Sequence, residues 1–128
     1  MKWEFHYHSD QNYLEVIVTG PLSSDELNKM AIERWKMLQE LNCRKILFDF
    51  TGITNMLATV AIYHRPTETE NVGVPKQNRS AAVVPKAYWN DFKFMETVYR
   101  KQGYDLTIFD SKEEAVDYLV NSPDGEKK

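Results

Sequence analysis

The chain of 128 residues carries one cysteine, Cys43. No intramolecular disulfide can form, and a lone thiol suits a reducing compartment. Long apolar runs are missing: the stretch 56–63 is broken by Thr59, and nothing approaches the ~20 apolar residues of a membrane span. The opening MKWEFHYHSD has a lysine but no apolar segment of the kind a secretory signal needs. A cytoplasmic protein without an integral membrane segment is therefore expected. Positive charge is not in excess either. Lys plus Arg number 16 against 19 Asp plus Glu, a net charge of −3, so a nucleic-acid binder, ordinarily basic, is not expected. No G-x-S-x-G elbow, P-loop or G-x-G-x-x-G occurs, nor any internal repeat or low-complexity tract.

What is present fits one folded domain. Hydrophobic residues make up 42% and charged residues 27%, a globular composition at single-domain length. Residues 3–8 alternate Trp3, Phe5, Tyr7 against Glu4, His6, His8, the period of a strand. Ser9-Asp10-Gln11-Asn12 is turn chemistry, and 13–19 reads as the returning strand of an antiparallel hairpin. Ser23 and Glu26 have capping-box spacing ahead of a helical stripe of Leu27, Met30, Ala31, Arg34, Trp35, Leu38 and Leu41, with Asn42 as its stop.

The run KILFDF, 45–50, predicts an interior strand covered on both faces. Thr51-Gly52 reads as a turn and 53–64 as a second helix, limited by Pro66. The segment 65–79, with two prolines and a glycine, reads as a long loop serving as a lid or contact segment. A short strand, 80–84, precedes a third helix over 88–102, with Tyr88, Phe92, Met95 and Tyr99 on its buried stripe, Trp89 and Phe94 off it, and Gly103 beyond its end. A last strand, 105–109, leads to a fourth helix opened by a second capping box, Ser111 with Glu114. The prediction is an α/β domain over 1–121, followed by a flexible tail over 122–128. Its single mixed, mostly parallel five-stranded sheet has a leading β-hairpin and four helices.

Two segments carry a resemblance. Asp49-Phe50-Thr51-Gly52-Ile53-Thr54 is similar to the central motif of the STAS domain, the fold of anti-sigma-factor antagonists. Phe109-Asp110-Ser111-Lys112-Glu113-Glu114-Ala115-Val116-Asp117-Tyr118-Leu119 resembles the closing pattern of the SpoIIAA-like, STAS/CRAL-TRIO-like branch of bacterial proteins. The resemblance spans roughly residues 3–120 and implies a non-catalytic protein-interaction or ligand-binding module. In the antagonists a serine at the start of the second helix is phosphorylated, and gap-free alignment puts that position on Ala58, which has no hydroxyl. Thr59 is the candidate phosphosite that remains, with an ordinary helix threonine as the simpler reading.

The ligand or partner surface expected on these grounds comprises Asp49, Thr51, Asn55, Met56, Leu57 and Thr59. Asp49 stands where α/β sheets bind ligands or, more simply, caps its turn. The partners expected are a protein or a second copy of the chain, and an apolar or anionic small ligand. A carrier of lipid or another apolar molecule is the alternative, with the aromatics of 88–99 lining a cavity. An enzyme using Asp49 with His64 is the weaker one. His6 and His8 share a strand face, but no third ligand has fixed spacing, so neither a metal nor another cofactor is expected. Cys43, beside Arg44 and Lys45 at a helix end, reads as a structural thiol. The basic stretch 71–101, with interleaved aromatics, reads as a buried stripe with a wet lysine face.

Overall fold

Alternation at period two does build the hairpin. In the computed structural model, which describes residues 1–121, β1 (Lys2–His8) pairs antiparallel with β2 (Tyr13–Pro21). Asn12 turns the chain at φ 54°, a left-handed conformation that asparagine tolerates. The expected tail, 122–128, lies outside the described residues. Helix α1 (Ser24–Leu41) starts as its capping signal predicts: Ser23 Oγ accepts the Glu26 N–H at 3.3 Å, and Asn42 closes the helix at φ 53°. Then come β3 (Lys45–Asn55), α2 (Thr59–Asn71), β4 (Arg79–Val83), α3 (Trp89–Lys101), β5 (Asp105–Phe109) and α4 (Lys112–Asn121).

The strands lie in chain order, β1 to β5, with every pairing after the hairpin parallel. Right-handed crossovers that step across a sheet in one direction put every crossover helix on the same face. Accordingly α1, α2 and α3 share one core with Val16, Ile46, Phe48 and Ile108. Helix α4 follows the last strand, so no crossover constrains it. It covers the opposite face, where Ala115 and Leu119 pack on Tyr13, Leu47, Ala81 and Val83. The continuous apolar run of β3 is thus buried from both sides, as its pattern requires.

Three features differ from the sequence reading. Thr51-Gly52 is not a turn, because β3 continues through it to Asn55. The register steps from Ile17 opposite Asp49 to Thr19 opposite Gly52, so β3 absorbs an extra residue there. The Thr51 N–H is satisfied by Asp49 Oδ1 at 3.0 Å. Gly52 is needed for close approach: a Cβ there would stand 2.8 Å from Thr19 Cγ2.

The second helix is 59–71, not 53–64, and contains Pro66. A proline inside a helix leaves the carbonyl four residues earlier, here that of Ile62, without its partner. Burial of Ile62, Arg65, Pro66 and Thr69 compensates for it. The expected lid over 65–79 is therefore helix as far as Asn71, and the connection that remains buries Val74 and Asn78. Lastly, Trp89 and Phe94, expected off the buried stripe of α3, both pack against the core.

Candidate functional site

Between the three-helix layer and strands β3 to β5 the core does not close. A cavity of about 90 Å³ remains, its walls mostly apolar and including Phe48, Phe92 and Met95. The connection after α2 supplies Val74, Pro75 and Asn78 to the wall, so this segment is part of the container. Tyr104 Oη ties it down by donating to the Val74 carbonyl at 3.3 Å. Helix α2 is tied across the same space. Arg65 donates to Asn28 Oδ1 at 2.9 Å on α1 and to Glu68 Oε1 at 3.2 Å, and Thr69 Oγ1 meets Tyr99 Oη of α3 at 2.7 Å.

Arg34 is the exception among these polar groups. It occupies the inner stripe of α1 between Met30 and Leu38, is only 7% exposed, and lines the cavity. Its guanidinium carbon lies 5.0 Å from the centre of the Phe48 ring. Among the described residues no carboxylate pairs with it, and its Nε is buried without a hydrogen-bond partner. Burial pushes its pKa down to about 10, and the positive charge of Arg65 adds to that, against the opposing influence of Tyr99 and Tyr104. At neutral pH the group is still charged. Asn78 Nδ2 is likewise buried and unpartnered, and also belongs to the cavity wall. Burial, with Tyr99 and Glu70 adding to it, raises Tyr104 to about 12, so its hydroxyl stays protonated and able to donate.

The opposite face carries a second polar cluster, and this one is internally satisfied. Glu15, buried in the middle of β2, takes His8 Nε2 at 2.8 Å and Lys112 Nζ at 2.5 Å. Lys112 also reaches Asp49 Oδ2 at 3.5 Å, while Asp49 Oδ1 accepts from Thr51 Oγ1 at 2.6 Å. Burial alone would raise the Glu15 pKa, but the hydrogen bonds and charges of Lys112 and His8 outweigh it and hold the group below its ordinary value. The Glu15 hydrogen bond is the main cause that raises Lys112.

The unfolded chain therefore binds the Glu15 proton more tightly than the folded one. The stabilisation is complete above the ordinary value of 4.5 and is lost as pH falls through the lower folded value. For Lys112 it is complete below 10.5 and lost as pH rises through the raised folded value. In urea unfolding followed across the acid range, Glu15→Gln should flatten the loss of stability below that point. An unchanged acid dependence would show that the cluster contributes nothing.

The residues singled out in the sequence fall outside the cavity. Asp49 and Thr51 bond to each other beside α4, and Asn55 Oδ1 accepts the Leu22 N–H at 2.9 Å, a structural bond. Met56 and Leu57 are half-buried against the core. Ala58 is the N-cap of α2 and Thr59 its exposed first residue. His64 is exposed on α2, in edge contact with Tyr63, so it stands on the sheet face opposite Asp49. His6 and His8 do share a face, and each meets a carboxylate, Glu4 or Glu15. The Cys43 thiol is buried, its pKa raised by that burial, and bonds to the Asn12 and Lys45 carbonyls. Sequence reasoning passed over Arg34 as a site, although it stands on an otherwise apolar helical stripe. A charged residue at a core position was the available signal.

No family model matches the chain, and no curated protein does. The solved structures similar in fold include two that span most of this chain. One is the anti-sigma factor antagonist SpoIIAA in its unphosphorylated form, at 13% identity and a TM-score of 0.53, covering 96% of this chain and all of that one. The other is an uncharacterised DUF3478-family protein from Shewanella loihica PV-4 with a SpoIIAA-like fold, at 17% identity and a TM-score of 0.56, covering 92% of each chain. Among the described residues no helix is long and apolar enough to cross a membrane. With its mixed five-stranded sheet, leading hairpin and four helices, the chain has the SpoIIAA-like α/β fold.

Proposed function

We propose that this chain is a small-molecule binding module whose site is the cavity between the helix layer and the sheet. The observation that carries the reading is the space itself. Protein interiors pack to the density of organic crystals and hold few voids larger than one water. A mostly apolar, partly open space of about 90 Å³ is about three times a water's share of liquid volume, roughly 30 Å³. It is also smaller than the ~150 Å³ engineered cavity that admits benzene. A small molecule fits, whereas a lipid chain fits only if the helices part, so the lipid-carrier alternative is the weaker form of this reading. Xenon under pressure tests the site without assuming any ligand chemistry. Saturable NMR shifts are expected at Phe48, Phe92 and Met95, and their absence would sink the proposal.

A second reading, a protein-interaction surface, is favoured by the outer face of α2. Val60 and Tyr63 are 67% and 60% exposed there, just after Thr59. The similar SpoIIAA structure belongs to an anti-sigma factor antagonist. In its homodimer form this reading predicts concentration-dependent self-association that Tyr63→Glu weakens. A monomer throughout sedimentation analysis would remove that form.

A further inference from the structure

We infer that the cavity takes a small monocarboxylate with a short aliphatic tail, its carboxylate held by the guanidinium of Arg34. The inference rests on the cavity reading above and adds the chemistry of the occupant. Among the described residues, apart from Glu15 Oε2, which Lys112 meets, the buried side-chain atoms without a hydrogen-bond partner are Arg34 Nε and Asn78 Nδ2. Both belong to residues that line this cavity, and both are donors. A buried donor left unmet is costly, and a buried charge more so. A ligand that brings acceptor oxygens and one negative charge to the guanidinium removes the larger of these costs, that of the unmatched charge.

The charge count sets the class. Arg65, the other arginine on the wall, already has Glu68 and Asn28, and the carboxylate of Asp105, which also lines the wall, is taken by Arg79 and Tyr118, so Arg34 is the cation left to match. One cation suits a monoanion and not a phosphate dianion. The planar guanidinium fork matches the two oxygens of a carboxylate. The remaining wall, formed by such residues as Phe48, Phe92 and Met95, suits carbon and not further polar groups. The volume limits the tail to a few carbons.

The whole chain, titrated by NMR, tests this with butyrate as probe, butyramide as its neutral counterpart, and inorganic phosphate. Butyrate should shift the resonances of Arg34, Phe48 and Phe92 saturably, and bind roughly 30-fold or more tightly than butyramide. Phosphate should leave them unmoved. Arg34→Met should abolish the butyrate response and keep that of xenon, and Arg34→Lys, which retains charge without the fork, should weaken butyrate binding. Equal binding of butyrate and butyramide, a butyrate affinity that survives Arg34→Met, or tighter binding of phosphate would overturn the inference. So would an intact xenon response with no butyrate response, and that result would leave the cavity reading standing. Loss of both responses in the wild-type chain would remove both.

Discussion

Replacing Arg34 by methionine is expected to make the unliganded protein more stable, by about 1–4 kcal/mol. Exchanging buried ionic groups for apolar ones of similar volume is often neutral or stabilising by that much even where the charge had a partner, and Arg34 has no carboxylate among the described residues. Methionine is unbranched and adapts to irregular space, so it keeps the packing of the aliphatic stem. The loss on the other side is the stacking over Phe48 at 5.0 Å, worth about 0.5–2 kcal/mol. The sign with pH is clear. Burial lowers the folded guanidinium to about 10, below its ordinary value, so the burial cost is fully present at neutral pH and eases only as pH rises past the folded value. Urea unfolding at neutral pH checks it. A lower midpoint in the variant would mean that Arg34 has a partner that stabilises the fold. A higher midpoint would mark Arg34 as a residue retained at the expense of stability, as functional groups often are.

Leu47→Ala is expected to cost about 2–5 kcal/mol, the transfer energy of the lost methyl groups plus the cavity they leave. Leu47 is fully buried, stands opposite Ala81 in the neighbouring strand, and forms the small core under α4 with Ala115 and Leu119. That core is thin, and the surrounding alanines cannot move to fill the space. The loss should also be directional: amide exchange in α4 should quicken more than in α1, which packs on the other face. An unchanged midpoint in chemical denaturation would contradict both the placement of β3 and the seating of α4.

The elements with strong local signals were legible in the sequence. Capping at Ser23 and the left-handed Asn42 bounded α1 because both are short-range chemistry, decided by a side chain and its own backbone. Gly103, at φ 96°, closed α3 for the same reason. The period-two pattern of 3–8 and the unbroken run 45–50 identified a hairpin strand and an interior strand, since the period reflects how many faces are buried. Where local rules misled, they met a tertiary competitor. Thr51-Gly52 has turn composition, yet pairing with β2 carries the strand through it. Pro66 is a helix breaker, yet burial of α2 outweighs its lost hydrogen bond. The expected lid was the consequence of that second misreading.

The site divides in the same way. That Arg34 shares a face with Leu27, Met30 and Leu38 follows from helical periodicity alone. Whether such an arginine finds a carboxylate depends on what three other elements bring opposite it, and no spacing within α1 contains that. The carboxylates on the helix-layer side are committed elsewhere: Glu68 to Arg65, Glu96 to Lys93 and the Ile108 N–H, and Asp105, whose residue lines the cavity, to Arg79 and Tyr118. Element order and the mixed, mostly parallel sheet are thus legible in the sequence, since periodicity and capping act over short range, whereas strand order, and with it the one face that α1 to α3 share, is set by long-range pairing. The cavity and its unpaired charge are properties of the packed structure alone, since they depend on how side chains far apart in the chain fail to meet.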